Sequence, residues 1–185
     1  MNNKIIKETL DLIKHYEQLN DNDASMIGLQ PKMDSNGIWT SGYGRALVDK
    51  VNKRFLKGNA DKQKAYEIGT VKDEAQACSN LDEDLQPFAN EINKAIKIPL
   101  TNNEFGALVS LAMNIGFSWL TKTIIPAING GNKKLATDTM LKYIYSSAGK
   151  LPGLYARRLS EVEFFYTGKL VFYAVDKNFN AKAIV

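Results

Sequence analysis

Glu17 closes an apolar stripe near the start of the chain. At about 100° per residue, Ile6, Leu10, Ile13 and Glu17 share one helical face, while Lys7, Asp11, Lys14 and Gln18 point elsewhere. A carboxyl on such a face loses hydration, which favours its protonated form, the form a general acid needs. The bland alternative is a helix that ends there, with Glu17 reaching water.

A second pair follows in Asp34-Ser-Asn-Gly-Ile-Trp-Thr40. A three-residue turn Ser35-Asn36-Gly37, with Gly37 left-handed, pairs Asp34 with Ile38. Asp34 and Thr40 then face the same side as diagonal neighbours, about 7–8 Å apart at the backbone. A carboxylate and a hydroxyl so placed can hold one water between them. A two-residue turn would put them on opposite sides, leaving a turn-initiating Asp and an ordinary strand Thr.

Other chemistries are poorly served. One His (His15) and one Cys (Cys78) supply neither a Cys–His nucleophile nor a Cys-based zinc site. Asp21-Asn22-Asp23 suggests a calcium loop, but the twelfth position is Lys32 and not Glu. No metal and no cofactor are expected.

The elements that must position these residues can be read in order. A first helix carries Glu17, and a polar loop runs from Asn20 to Asp34. The hairpin then enters Ile38-Trp-Thr-Ser-Gly-Tyr-Gly44. Thr70-Val-Lys-Asp73 reads as a capping box opening a helix from Val71 to Ala95, with Leu81, Leu85, Phe88 and Ile92 on one face. Thr101-Asn-Asn-Glu104 is a second capping box; the helix behind it is apolar nearly all round, hence buried, and Gly116 stops it. Helices are expected over 120–129 and 132–146, and a last one from Pro152 to Tyr166, ended by Gly168. Residues 169–185 read as short extended segments. Asn114 is the polar residue set inside the buried helix; its amide demands partners, either substrate amides or neighbouring backbone.

Composition agrees with one folded domain. Of 185 residues 44% are hydrophobic and 24% charged, with a net charge of +4, which excludes a disordered tail or a disulfide scaffold. The second half is the basic half, but its lysines are scattered, so nucleic acid is not an expected partner. The most apolar stretch, Gly106 to Leu120, is shorter than the ~20 residues of a membrane span. The N-terminus lacks a signal-peptide core, so synthesis in the cytoplasm is expected.

Taken together, Glu17, Asp34-x5-Thr40, the segment Pro99-Leu-Thr-Asn-Asn-Glu-Phe-Gly-Ala-Leu-Val-Ser-Leu-Ala-Met-Asn-Ile-Gly116 and the segment Ala148-Gly-Lys-Leu-Pro-Gly-Leu-Tyr-Ala-Arg-Arg158 resemble the phage-type lysozymes, the endolysins of bacteriophages. The resemblance covers about residues 6–167, and four motifs in order are far more specific than one. It implies an α+β, mostly helical, two-lobed lysozyme-like fold: an N-terminal lobe over about 6–70 with a β-hairpin, a connecting helix over 71–95, a helical lobe over 96–168 and an extension over 169–185, with a cleft between the lobes. It implies cleavage of the β-1,4 bond between N-acetylmuramic acid and N-acetylglucosamine in peptidoglycan. Glu17 would be the general acid, with Asp34 and Thr40 positioning the attacking water. A glycosidase needs one protonated carboxyl at the leaving oxygen and a base or charge near the anomeric carbon, so the residue-level reading converges on the same three.

Position suggests supporting roles. Asn114, Arg45 and Trp39 are candidate substrate contacts, with Tyr43 a second candidate sugar platform, and Arg157 or Arg158 a candidate ion-pair partner of Glu17. There are departures from the family pattern. The stretch between Glu17 and Asp34 is longer than usual; its insertion, Asn20 to Gln30, is expected to tune access without joining the chemistry, with Met26, Ile27 and Leu29 packing on the hairpin. Ser41 and Arg45 stand where the family often has Ile and His. The resemblance also implies a monomer released to the cell wall through a holin pore. The competing readings are a lytic transglycosylase, which breaks the same bond without water, and a catalytically inactive wall-binding protein.

Overall fold

The structure, a computed structural model, describes residues 3–23, 25, 26, 28–146 and 149–184. The chain forms two compact units: one holds residues Lys14–Asp84, the other the residues up to Ile13 together with those from Leu85 on. Helices α1 (Lys7–Glu17) and α3 (Glu74–Ala95) each contribute to both. The division inside α1 places its first turns with the helical unit, where the sequence placed the helix in the N-terminal lobe.

In the unit Lys14–Asp84, a three-stranded antiparallel sheet is formed by β1 (Lys32–Met33), β2 (Trp39–Ser41) and β3 (Arg45–Ala46). Two further strands, β4 (Val48–Asp49) and β5 (Arg54–Phe55), make a separate ladder, and α2 (Lys62–Gly69) follows a single 3-10 turn. The small core gathers Trp39, Leu47, Leu56 and Ala65, with Tyr66 edge-on to Trp39 at 5.9 Å. Trp39 is only 3% exposed, and its Nε1 donates to the Gly58 carbonyl at 2.8 Å. Two carboxylates lock the loops. Asp49 accepts from the Val51 and Asn52 amides and pairs with Lys64 at 2.8 Å. Asp61 pairs with Arg54 and accepts from the Lys57 amide, which holds its carboxyl down at about 2.

The α3 start shows how a cap is read one turn too early. Asp73, not Thr70, caps the helix: its Oδ1 accepts from the Gln76 amide at 2.9 Å, and the Gln76 side chain reaches back to the Lys72 amide at 2.6 Å. Thr70 instead bonds Gln30 and the Tyr66 carbonyl. α3 also carries Pro87 in its interior, where the ring removes an amide donor.

The other unit is built around α4 (Asn102–Ile115). Its capping box forms as expected, with Thr101 and Glu104 bonding each other's backbone amides, and Gly116 ends it at φ +88°. Residues Phe105 to Ala112 are buried all round, against α8 (Pro152–Thr167) among others. Between them lie α5 (Phe117–Leu120), α6 (Ile124–Asn129) and α7 (Lys133–Met140). The helix expected to reach 146 stops at Met140. Tyr145–Ser146 (β6) pairs instead with Gly149–Lys150 (β7). The tail folds as an antiparallel hairpin, β8 (Phe172–Val175) with β9 (Ala181–Ile184); β8 packs on α8, and the Phe179 ring stands 5.9 Å from Tyr155. Among the described residues, no helix is long and apolar enough to cross a membrane.

The buried face of α1 differs from the expected stripe. Thr9, Leu12 and Ile13 are buried, while Ile6, Leu10 and Glu17 are half-buried. Thr9 faces α4 at Gly106, where an added Cβ would lie 2.1 Å from Thr9 Oγ1 and 3.0 Å from Phe164 Cε1. An exposed helical glycine gains about 1 kcal/mol on replacement by alanine. Here the sign reverses: Gly106→Ala is expected to destabilise by about 1–3 kcal/mol through overpacking. The double variant with Thr9→Ala, which also removes a buried hydroxyl that makes no hydrogen bond among the described residues, is expected to recover most of that loss in denaturant melts.

Candidate active site

Glu17 is the last residue of α1. The chain turns off the helix at Gln18 in a left-handed conformation (φ +54°), with the Gln18 amide donating to the Lys14 carbonyl at 3.1 Å. Beside it runs the backbone of Gly44: a Cβ built there would lie 3.5 Å from Glu17 Oε2. One turn earlier in α1, Lys14 pairs with Glu74 at 2.8 Å, and the Tyr43 hydroxyl donates to the same Glu74 oxygen at 2.8 Å. This trio braces the end of α1 and the bend after β2 against the start of α3. Burial and the Glu74 acceptor push the Tyr43 hydroxyl up to about 12, so it remains a donor at any physiological pH.

The hairpin has the three-residue turn. The Asp34 amide donates to the Ile38 carbonyl at 2.8 Å, Gly37 adopts φ +75°, and the ladder pairs Met33 with Trp39 and Lys32 with Thr40. Asp34 and Thr40 therefore lie on one face. Asp34 Oδ1 accepts from the Asn36 and Ile38 amides, both at 2.8 Å, which fixes the carboxylate. The Thr40 hydroxyl donates to the Lys32 carbonyl at 3.0 Å and accepts from Asn20 Nδ2 at 2.9 Å. Asn20 was not singled out by the sequence, because a side chain in a polar loop carries no signal of where the loop returns.

The insertion is held at both ends. Asn20 bridges Gly42, Leu29 bridges Val71, and the Gln30 amide donates to Asp21 Oδ1. Val71, the bridge partner of Leu29, lies beyond the end of α2, Met26 is exposed, and Ile27 lies outside the described residues.

Two expected substrate contacts are otherwise engaged. Trp39 is a core residue whose ring faces are covered. Arg45 is half-buried, with Nε donating to Asp84 at 2.8 Å and Nη2 to the Asn80 carbonyl and Glu83, so its guanidinium ties β3 to α3. Tyr43, like Trp39, is buried, with its hydroxyl bonded to Glu74. In the helical unit, a pocket of about 500 Å³ is lined by Asn114, Trp119, Lys142, Tyr143 and Tyr145 among others, with Trp119 and Tyr145 exposed. Trp119 stands edge-on to Tyr143 at 6.2 Å, with the Lys122 ammonium 3.7 Å from its centroid. Asn114 Oδ1 is buried and makes no hydrogen bond among the described residues. Arg157 and Arg158 are buried in the same unit, and both reach Glu161: Arg157 Nε at 3.2 Å and Arg158 Nη2 at 2.9 Å from Oε1.

A family model for phage lysozymes matches residues 25–161. The chain belongs to the phage lysozyme family. The matched span holds Asp34, Thr40, Asn114 and both arginines and begins beyond Glu17. An endolysin of Acyrthosiphon pisum secondary endosymbiont phage 1 is 32% identical over 166 residues, 87% of this chain and 97% of that protein. Among solved structures, an endolysin from Escherichia coli O157:H7 phage FAHEc1 superposes with a TM-score of 0.71 at 30% identity, covering 90% of this chain and 96% of the other. The muramidase domain of SpmX from Asticaccaulis excentricus gives 0.69 at 26% identity, covering 89% and 99%. The fold is thus the α+β lysozyme-like one, and the coarse activity is that of a peptidoglycan-degrading phage endolysin.

Proposed function

We propose that this lysozyme hydrolyses the β-1,4 bond between N-acetylmuramic acid and N-acetylglucosamine, with Glu17 as general acid and Asp34 and Thr40 holding the water. Glu17 gives its proton to the leaving glycosidic oxygen as that bond breaks. The water oxygen bonds to the anomeric carbon, and its released proton passes to Asp34. The observation that carries this reading is the hairpin register, which sets a fixed carboxylate and a fixed hydroxyl on one face. A transglycosylase needs only the acid, so a built water-holding pair favours hydrolysis. The intact set of three argues against an inactive binder.

In the helical unit, the pocket at Trp119, Tyr143 and Tyr145 takes sugar or peptide groups of the same polymer. Exposed aromatic faces suit the apolar faces of sugars, and Asn114 Oδ1 accepts from an amide N–H. Action as a monomer, reaching the wall through a holin pore, completes the reading. In turnover of purified peptidoglycan, Asp34→Asn and Thr40→Ala are each expected to lose about 10²-fold or more in kcat. Wild-type rates in both would remove the water site from the mechanism.

A further inference from the structure

We propose that Asn20 is a positioning residue for the hydrolytic water, acting through the Thr40 hydroxyl. The proposal rests on the reading of Thr40 above and adds a residue from the insertion, which the sequence had set outside the chemistry.

Asn20 lies three residues beyond Glu17. Its backbone amide donates to the Gly42 carbonyl at 2.8 Å, which fixes its Cα beside the end of β2. From there its side-chain amide donates to Thr40 Oγ1 at 2.9 Å, and Thr40 Oγ1 donates to the Lys32 carbonyl at 3.0 Å. The three groups form one directed chain, amide to hydroxyl to carbonyl.

A hydroxyl has one proton and two lone pairs. Here the proton is engaged by Lys32 and one lone pair by Asn20. What Thr40 has left is a single acceptor site of fixed direction. A water that donates one O–H to that site and the other to the Asp34 carboxylate has both protons turned outward. Its own lone pairs then face the reacting carbon, the orientation a nucleophile needs. Without the Asn20 amide, Thr40 presents two acceptor sites, and the water settles at either. The carboxylate half of the site is fixed independently by the turn amides of Asn36 and Ile38, so loss of Asn20 touches only the Thr40 half.

The test compares Asn20→Ala, Asn20→Asp, Thr40→Ala and the double variant N20A/T40A in steady-state turnover of purified peptidoglycan. Product analysis is made in the presence of an added oligosaccharide acceptor. Asn20→Ala is expected to lower kcat about tenfold, the worth of one hydrogen bond made in the transition state, with KM within about twofold. Its products shift from hydrolysis toward transfer to the acceptor. Asn20→Asp keeps the shape of the side chain but cannot donate, and it draws the Thr40 proton away from Lys32. It is expected to lose at least as much kcat at an unchanged melting temperature. In the Thr40→Ala background, Asn20→Ala is expected to change nothing further, because the group it acts through is gone. Wild-type kcat in both single Asn20 variants, a loss confined to KM, or losses that multiply in the double variant would overturn the proposal. If Thr40→Ala itself hydrolyses at the wild-type rate, the Thr40 reading falls and Asn20 with it, a result distinct from failure of Asn20 alone.

Discussion

Glu17→Gln is expected to lower peptidoglycan hydrolysis by about 10²–10⁴-fold, the usual contribution of general acid catalysis. The amide keeps the size and shape of the side chain but has no proton that a leaving alkoxide can take at neutral pH. The fold is expected to persist, because the elements around the residue are held by other groups: Lys14, Tyr43 and Glu74 brace them without Glu17. Turbidity clearance of purified sacculi measures the rate, and far-UV circular dichroism confirms the fold. Activity within tenfold of wild type, in a folded variant, would take the acid role from Glu17. Gly44, beside the carboxyl, takes a left-handed conformation (φ +88°) that glycine adopts without strain.

Glu161→Ala carries the largest expected effect on stability. Glu161 and Arg158 are fully buried and Arg157 nearly so, and a single carboxylate faces both arginines and the Ser110 hydroxyl, which donates to it at 2.7 Å. Arg158 Nε and Glu161 Oε2 stand 2.7 Å apart, an ion contact without the alignment of a hydrogen bond. Removing one partner of a buried ion pair costs about 3–5 kcal/mol, because the remaining charge stays buried without its counter-ion. For a chain of this size that corresponds to a melting temperature lower by about 6–20 °C. The loss extends to the pocket, since Arg158 Nη1 also donates to the carbonyl of Tyr143, a pocket residue, at 3.4 Å. Differential scanning calorimetry of Glu161→Ala checks the figure; a shift under 2 °C would show that the cluster contributes little to the fold.

What could be read from the sequence was what local physics decides. The turn Ser35-Asn36-Gly37 needs a left-handed residue at one position and has Gly37 there, so the hairpin register and the shared face of Asp34 and Thr40 followed directly. The Thr101–Glu104 box and the stops at Gly116 and Gly168 are equally local. The failures occur where distant parts of the chain decide. Thr70 looked like a cap but is drawn off by Gln30, forty residues away. The helix read over 132–146 stops at Met140, and Tyr145–Ser146 pairs with Gly149–Lys150 in a short ladder. Trp39 and Tyr43 were legible as aromatics near the Asp34–Thr40 motif, yet tertiary packing buries them, while the pocket rings Trp119 and Tyr145 are exposed. Arg45 was legible as a cation, but its acidic partners on α3 were not.

The central claim is hydrolysis at the N-acetylmuramic acid linkage by a positioned water. Its most direct test is digestion of purified peptidoglycan in ¹⁸O-labelled water, followed by mass spectrometry of the released disaccharide peptides. The account predicts products with a reducing-end N-acetylmuramic acid carrying one ¹⁸O at its anomeric carbon. Products that end in unlabelled 1,6-anhydro-N-acetylmuramic acid, or that carry the label on a reducing-end N-acetylglucosamine, would contradict it.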